Sequence, residues 1–203
     1  MSARVFVEGG GDRRSQTACR KAFSTFFGRL LGDFPKPRIV ASGSRNQAYA
    51  DFSRSLTDDL GSFPVLLVDS EGPVAVGKRA AEHLRERDHW TGPLPEGQVH
   101  LMVQCMEAWF LADKTTLAQY YGHEFREAAL PANPRIEDVP KNDLLDGLAR
   151  ATLATSKGRY HKTRHAFDIL ERLDPQSVGQ QSYSAAALFA VLLRVSRLRN
   201  TVE

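Results

Sequence analysis

Cysteine is scarce in this chain of 203 residues: only Cys19 and Cys105 occur, and no CxxC spacing suggests a zinc knuckle or a redox pair. Both are expected as reduced, buried thiols, Cys19 in a helix and Cys105 beside a strand end. Long apolar runs are also missing. None approaches the roughly 18 to 20 residues that a membrane span needs. The opening Met1-Ser2-Ala3-Arg4-Val5-Phe6-Val7 enters a strand pattern rather than a signal peptide, so the expected location is the cytoplasm, with no membrane partner. Neither GxGxxG nor GxxxxGK(S/T) occurs, which argues against a Rossmann-like nucleotide enzyme, and the DxDx(T/V) of a dehalogenase-type phosphatase is not supplied either. There is no internal repeat, low-complexity tract or sustained heptad pattern, which sets aside solenoids and coiled coils.

What remains is an ordinary globular composition, 42% hydrophobic and 25% charged. The length suits one domain over 1–203, with an α/β sheet core over 1–122 and a helical C-terminal extension over 141–200. Apolar β-branched runs predict strands over 3–8, 38–41, 64–68 and 100–104. Between them, helical periodicity covers 13–31, 45–60 and 74–88, and a further helix begins at Cys105 and runs to about Tyr121. Such alternation predicts a mostly parallel four-stranded sheet with helices on both faces. From Lys141 onward only helices are expected, over 142–154, 162–173 and 183–199, packed on the sheet as a cap.

Two acidic clusters stand where strands give way to loops. The first is Val7-Glu8-Gly9-Gly10-Gly11-Asp12 and the second Leu67-Val68-Asp69-Ser70-Glu71-Gly72. Open α/β sheets assemble their sites beyond the carboxyl ends of strands. Glycines let the first turn leave Glu8 uncovered, while Asp12 is placed to cap the next helix. Asp69 and Glu71, two positions apart in an extended segment, point to one side and suit a shared divalent ion. Gathered carboxylates repel one another, so a cation is needed at neutral pH. Pairing each acid with its own arginine or lysine would remove that need. Glu107 is a further candidate ligand, and Asp113, six positions on, would lie on another helix face. Trp109 belongs to the core.

The net charge of +3 tolerates a polyanionic partner. The stretch Lys157-Gly158-Arg159-Tyr160-His161-Lys162-Thr163-Arg164-His165 holds four formal positive charges and no acid. Lys157, Arg159, Lys162, Arg164 and His165 are therefore candidate nucleic-acid contacts. His161 and His165, four apart, could share a helical face as zinc ligands, yet no third ligand stands nearby.

The phrases around Glu8 and Asp69-Ser70-Glu71, with Gln104-Cys105-Met106-Glu107-Ala108-Trp109-Phe110 and Tyr160-His161-Lys162-Thr163-Arg164-His165-Ala166, resemble a bacterial TOPRIM-like family catalogued as domain of unknown function 4276. TOPRIM is the catalytic domain shared by topoisomerases, bacterial primases and nucleases of the overcoming-lysogenisation-defect type. The resemblance implies Glu8 as general acid or base, and Asp69 with Glu71 as the metal-binding pair, a glutamate replacing the usual second aspartate. It also implies Glu107 as an added ligand, Lys162 as the phosphate-stabilising lysine, and an ATPase partner in phage defence. The expectation is a Mg²⁺- or Mn²⁺-dependent nuclease acting on DNA or RNA, alone or as a homo-oligomer. The rival expectation is an inactive TOPRIM-like module that binds nucleic acid or a partner.

Overall fold

The computed structural model describes residues 2–58 and 61–200. Four strands, β1 (Ser2–Val7), β2 (Arg38–Ala41), β3 (Ser62–Asp69) and β4 (Val99–Met102), pair in the order β2-β1-β3-β4, all parallel. In register, Val7 lies between Ala41 and Leu67. Helices α1 (Arg13–Leu31), α2 (Arg45–Asp58) and α3 (Ala80–Asp88) connect the strands; α4 (Lys114–Tyr121), α5 (Lys141–Thr152), α6 (Lys162–Leu170), α7 (Pro175–Gln181) and α8 (Tyr183–Asn200) follow. The α/β class read from the sequence is the class observed.

Alternation along the strands divides the core in two. Val5, Val7, Val65 and Leu67 point to one face, where Phe23, Phe26 and Phe27 of α1 meet Leu144, Ile169, Leu188 and Leu192 of the later helices in one cluster. Phe6, Leu66 and Val68 point to the other, against Ala48 and Phe52 of α2 and Leu84 of α3. Trp109 anchors the larger side, stacked on Phe26 with ring centroids 5.5 Å apart and edge-on to Phe189 at 6.3 Å. The later helices thus share the sheet's own core rather than forming one of their own. Cys19 and Cys105 are free and buried, and burial pushes the Cys19 thiol up to about 12. Among the described residues no helix is long and apolar enough to cross a membrane.

Several elements differ from the sequence reading. Strand β1 ends at Val7, so Glu8 is the first residue beyond it. Helix α3 starts at Ala80 rather than at 74, because Pro73 and the left-handed Gly77 (φ 81°) keep the intervening loop out of helical geometry. The segment after β4 is a 3₁₀ helix over Met106–Asp113, and α4 begins only where Asp113 accepts the Thr116 N–H at 3.0 Å. Helix α6 stops at Leu170, and the unforeseen α7 follows, capped by Asp174 accepting from the Gln176 and Ser177 N–H groups. Strand β4 ends at Met102, two residues short of the expected end. The last two residues of the crossover expected over 45–60 lie outside the described residues, as do 1 and 201–203.

Candidate metal centre

The strand order places the site. From β1 the chain runs through α1 to β2 on one side, then through α2 to β3 on the other. Beyond the adjoining carboxyl ends of β1 and β3 the loops diverge, which leaves a crevice at the switch point. Glu8 enters it from β1, and Asp69, the last residue of β3, enters beside it.

Backbone geometry explains the glycine-rich turn. At Gly10 (φ 81°) an added Cβ would lie 2.4 Å from the backbone nitrogen of Gln16, so the turn lies directly on the first turn of α1 and tolerates no side chain. The Gly9 N–H donates to the Gly43 carbonyl at 2.9 Å, tying this turn to the loop after β2. Asp12 caps α1 by accepting from the Ser15 N–H at 2.7 Å, a bond that holds its carboxyl below the usual range. The turn both caps the helix and leaves Glu8 facing the crevice.

The second turn carries local strain. Glu71 sits at φ 65°, a left-handed conformation costing a non-glycine residue roughly 1–2 kcal/mol. Its N–H donates to the Gln104 carbonyl at 2.8 Å, and that of Ser70 to the Met102 carbonyl at 3.0 Å. The sheet ladder is thereby prolonged into the turn, and the Glu71 carboxylate is directed back over Asp69. One carboxylate oxygen from each of Glu8, Asp69 and Glu71 lies within 4.8 Å of the others. A cavity of about 360 Å³ opens over them, walled also by Arg45, Arg87 and Lys162.

Each acid has a basic neighbour, the arrangement that weakens the argument for an ion. Glu8 Oε2 accepts from Arg45 Nη1 at 3.1 Å. Glu71 Oε2 accepts from Lys141, the first residue of α5; although burial opposes it, this contact holds Glu71 below the usual carboxylate range. Asp69 is 2% exposed; its Oδ1 accepts from the Met106 N–H at 2.8 Å, while Lys162 Nζ stands 3.6 Å from Oδ2. Burial pushes the Asp69 carboxyl up to about 8; Lys162 pulls it down, and the charges of Glu8 and Glu107 add to the rise.

These bases are shared rather than private. Arg45 also makes a two-pronged contact with Asp88, 2.9 Å on each prong, and Arg87 reaches Asp88 too. Lys162 lies 3.6 Å from Glu107 as well as from Asp69. Glu107 is fully buried: its Oε1 accepts from the Tyr160 hydroxyl at 3.0 Å, and its Oε2 has no hydrogen-bond partner among the described residues. Glu8, Asp69, Glu71, Asp88 and Glu107 therefore outnumber Arg45, Arg87, Lys141 and Lys162. With the raised Asp69 carboxyl protonated the charges balance, and one negative charge is left over once it ionises.

The remaining sequence candidates fall into distinct places. Lys162, first residue of α6, joins the cluster, whereas Glu107 sits behind Lys162, outside the three converging acids. Lys157 lies over the Tyr120 ring at 5.1 Å, and Arg159 and Arg164 are exposed. His165 requires correction: it is buried at 7% exposure among Tyr120, Tyr121 and Tyr160, and its Nδ1 accepts the His161 N–H at 3.0 Å. With Ala166, Ile169 and Leu170 it forms the inner face of α6, so it is no surface contact for nucleic acid. Asp113 caps α4 and accepts the Asp174 N–H. Sequence reasoning missed Arg45, Asp88, Lys141 and Tyr160. Arg45 alone carried a signal, since it follows Ser42-Gly43-Ser44 at the carboxyl end of the strand beside β1.

Fold and site define an α/β protein with an acidic centre at the switch point of a parallel sheet. Over residues 7–193 the chain matches the family described as "Domain of unknown function (DUF4276)", and it belongs to that family. No curated protein and no solved structure matches it.

Proposed function

We propose that the chain is a Mg²⁺- or Mn²⁺-dependent nuclease, related to the TOPRIM domains, that hydrolyses phosphodiester bonds of DNA or RNA. The observation carrying this reading is the meeting of Glu8, Asp69 and Glu71, from two strand ends far apart in sequence, within 4.8 Å. All three are hard oxygen donors, the set that suits Mg²⁺ or Mn²⁺, and ionising Asp69 leaves the cluster with one negative charge in excess for an ion to meet. A divalent ion bound there would supply Lewis acidity and a water of lowered pKa.

The chain's own residues divide the remaining work. Burial opposes the charged form of Lys162, but Asp69 and Glu107 outweigh it and hold the ammonium above its ordinary range. Lys162 therefore acts as a permanently charged cation for a non-bridging phosphate oxygen rather than as a base. Glu8, with Oε2 engaged by Arg45, keeps Oε1 for the ion. Lys157, Arg159 and Arg164, all on the exposed run leading into α6, supply contacts for a nucleic-acid backbone. A cytoplasmic role in phage defence beside an ATPase partner belongs to this proposal on the strength of the TOPRIM resemblance.

Incubation with plasmid DNA and structured RNA in Mn²⁺ tests it. Cleavage is expected from the native chain and lost in Glu8→Gln and Asp69→Asn; cleavage surviving both substitutions would falsify the assignment. A second reading, an inactive nucleic-acid or partner-binding module, draws support from the basic neighbour of each acid. That reading requires Mn²⁺ to leave the melting temperature unchanged, whereas an occupied centre raises it.

A further inference from the structure

We infer that the centre takes a single divalent ion and that Arg45 is its permanent second cation. This rests on the metal-dependent reading above and concerns how many ions the residues can hold. Two-ion sites place their ions about 4 Å apart, held by carboxylates that commit both oxygens. Here the oxygens are already divided. Glu8 gives Oε2 to Arg45 Nη1 at 3.1 Å, and Asp69 gives Oδ1 to the Met106 N–H at 2.8 Å. What faces no arginine or backbone donor is Oε1 of Glu8, Oδ2 of Asp69 and the Glu71 carboxylate, the last two met only by Lys162 and Lys141, a donor set for one ion completed by water.

The three bases around these acids differ in how firmly they are held. Arg45 is fixed on every side: Nε and Nη2 meet Asp88 at 2.9 Å each, Nη1 donates to the Asp69 carbonyl at 2.5 Å, and the guanidinium lies 5.5 Å above the Trp90 ring. Trp90 is itself stacked on Tyr49 at 4.2 Å and donates to Asn46. The Asp88 and Arg45 side chains are 8% and 15% exposed. Lys141, by contrast, makes its one ion pair among the described residues with Glu71, and Lys162 is 56% exposed with neither carboxylate closer than 3.6 Å. An arriving ion can displace a lysine from the acids. It cannot displace an arginine locked to a buried aspartate.

A Mn²⁺ titration of the full chain, with the free aquo ion counted by electron paramagnetic resonance and the binding heat by calorimetry, decides the matter. One ion is expected for the native chain and for Arg45→Lys. Arg45→Met, which frees Glu8 Oε2, is expected to gain a second, weaker ion. Should Arg45→Met not fold, because buried Asp88 loses its two-pronged partner and keeps only Arg87, the Arg45→Met, Asp88→Asn double variant carries the same expectation. Two ions in the native chain overturn this inference and leave the nuclease reading standing. One ion at unchanged affinity in the methionine variant, or in the double variant where that takes its place, also overturns it. No ion in the native chain overturns the nuclease reading and takes this inference with it.

Discussion

The sheet half and the helical half contribute opposite charges to the centre, and they hold them differently. Glu8, Asp69, Glu71 and Glu107 stand at or just beyond strand ends, each within a few residues of the hydrogen-bonded ladder. Lys141 and Lys162 come from the first residues of α5 and α6 and reach the same acids through long aliphatic arms. Backbone placement makes the acids rigid, and side-chain reach makes the lysines adjustable. Arg45 and Arg87 are bases on the sheet side, and Arg45 tests the rule, because Asp88 and Trp90 make it as fixed as the acids.

The strongest way to break this contrast is to disturb the turn that aims Glu8. Gly10→Ala combines a left-handed φ with a 2.4 Å clash against the backbone of α1. It is expected to lower unfolding free energy by roughly 3 kcal/mol in a denaturant melt, in line with other strained-backbone and overpacking changes. Proton linkage gives the next largest effect. The folded Asp69 carboxyl, up to about 8, lies above its unfolded value of 3.8, so the native state binds a proton that the unfolded state releases. Metal-free stability therefore falls as pH rises from about 4 to 8, and Asp69→Asn removes that slope. A bound ion must expel the same proton, so Mn²⁺ affinity is expected to rise by up to about tenfold per pH unit until the pH passes about 8. Calorimetric titration at three pH values measures it.

On the helical side the effects are smaller and of another kind. Lys141→Met removes the cation that competes for Glu71 and is expected to tighten Mn²⁺ binding roughly tenfold, about 1.4 kcal/mol. Unchanged or weaker binding would show that Lys141 positions Glu71 instead of guarding it. Gly158, also left-handed at φ 73°, has nothing within 4 Å of an added Cβ. Gly158→Ala is therefore expected to cost only the conformational penalty of about 1 kcal/mol, readable as a small drop in melting temperature. A loss as large as that of Gly10→Ala would erase the distinction between the halves.

The same contrast governs what could be read from the residues alone. A strand followed by an acid and a glycine turn is a local pattern, so Glu8, Asp69 and Glu71 were legible before any coordinates. Their convergence follows from an order in which β1 and β3 adjoin, which local pattern does not state. Lys141 is 70 positions from Glu71, and only tertiary packing joins them. His165 misled because the basic residues around it outweighed its place one position before Ala166 on an apolar stripe. Helix α7, seven residues long, is too short for periodicity, though Asp174-Pro175 is a cap signal that could have marked it. The break in the segment after β4 was hidden because Met106–Asp113 is nearly all apolar and offers no polar face to reveal its pitch.

The strand lengths bear on how copies of this chain can associate. Both border strands, β2 and β4, have four residues, half the length of the central β3, and Pro35 and Pro37 lie just ahead of the exposed Arg38 that opens β2. A neighbouring chain seeking to extend the sheet would find too few free amides for a lasting ladder, with a charge at the threshold. Any self-association therefore falls to helical surfaces, and fibrous growth through continuous β-structure is disfavoured from both borders.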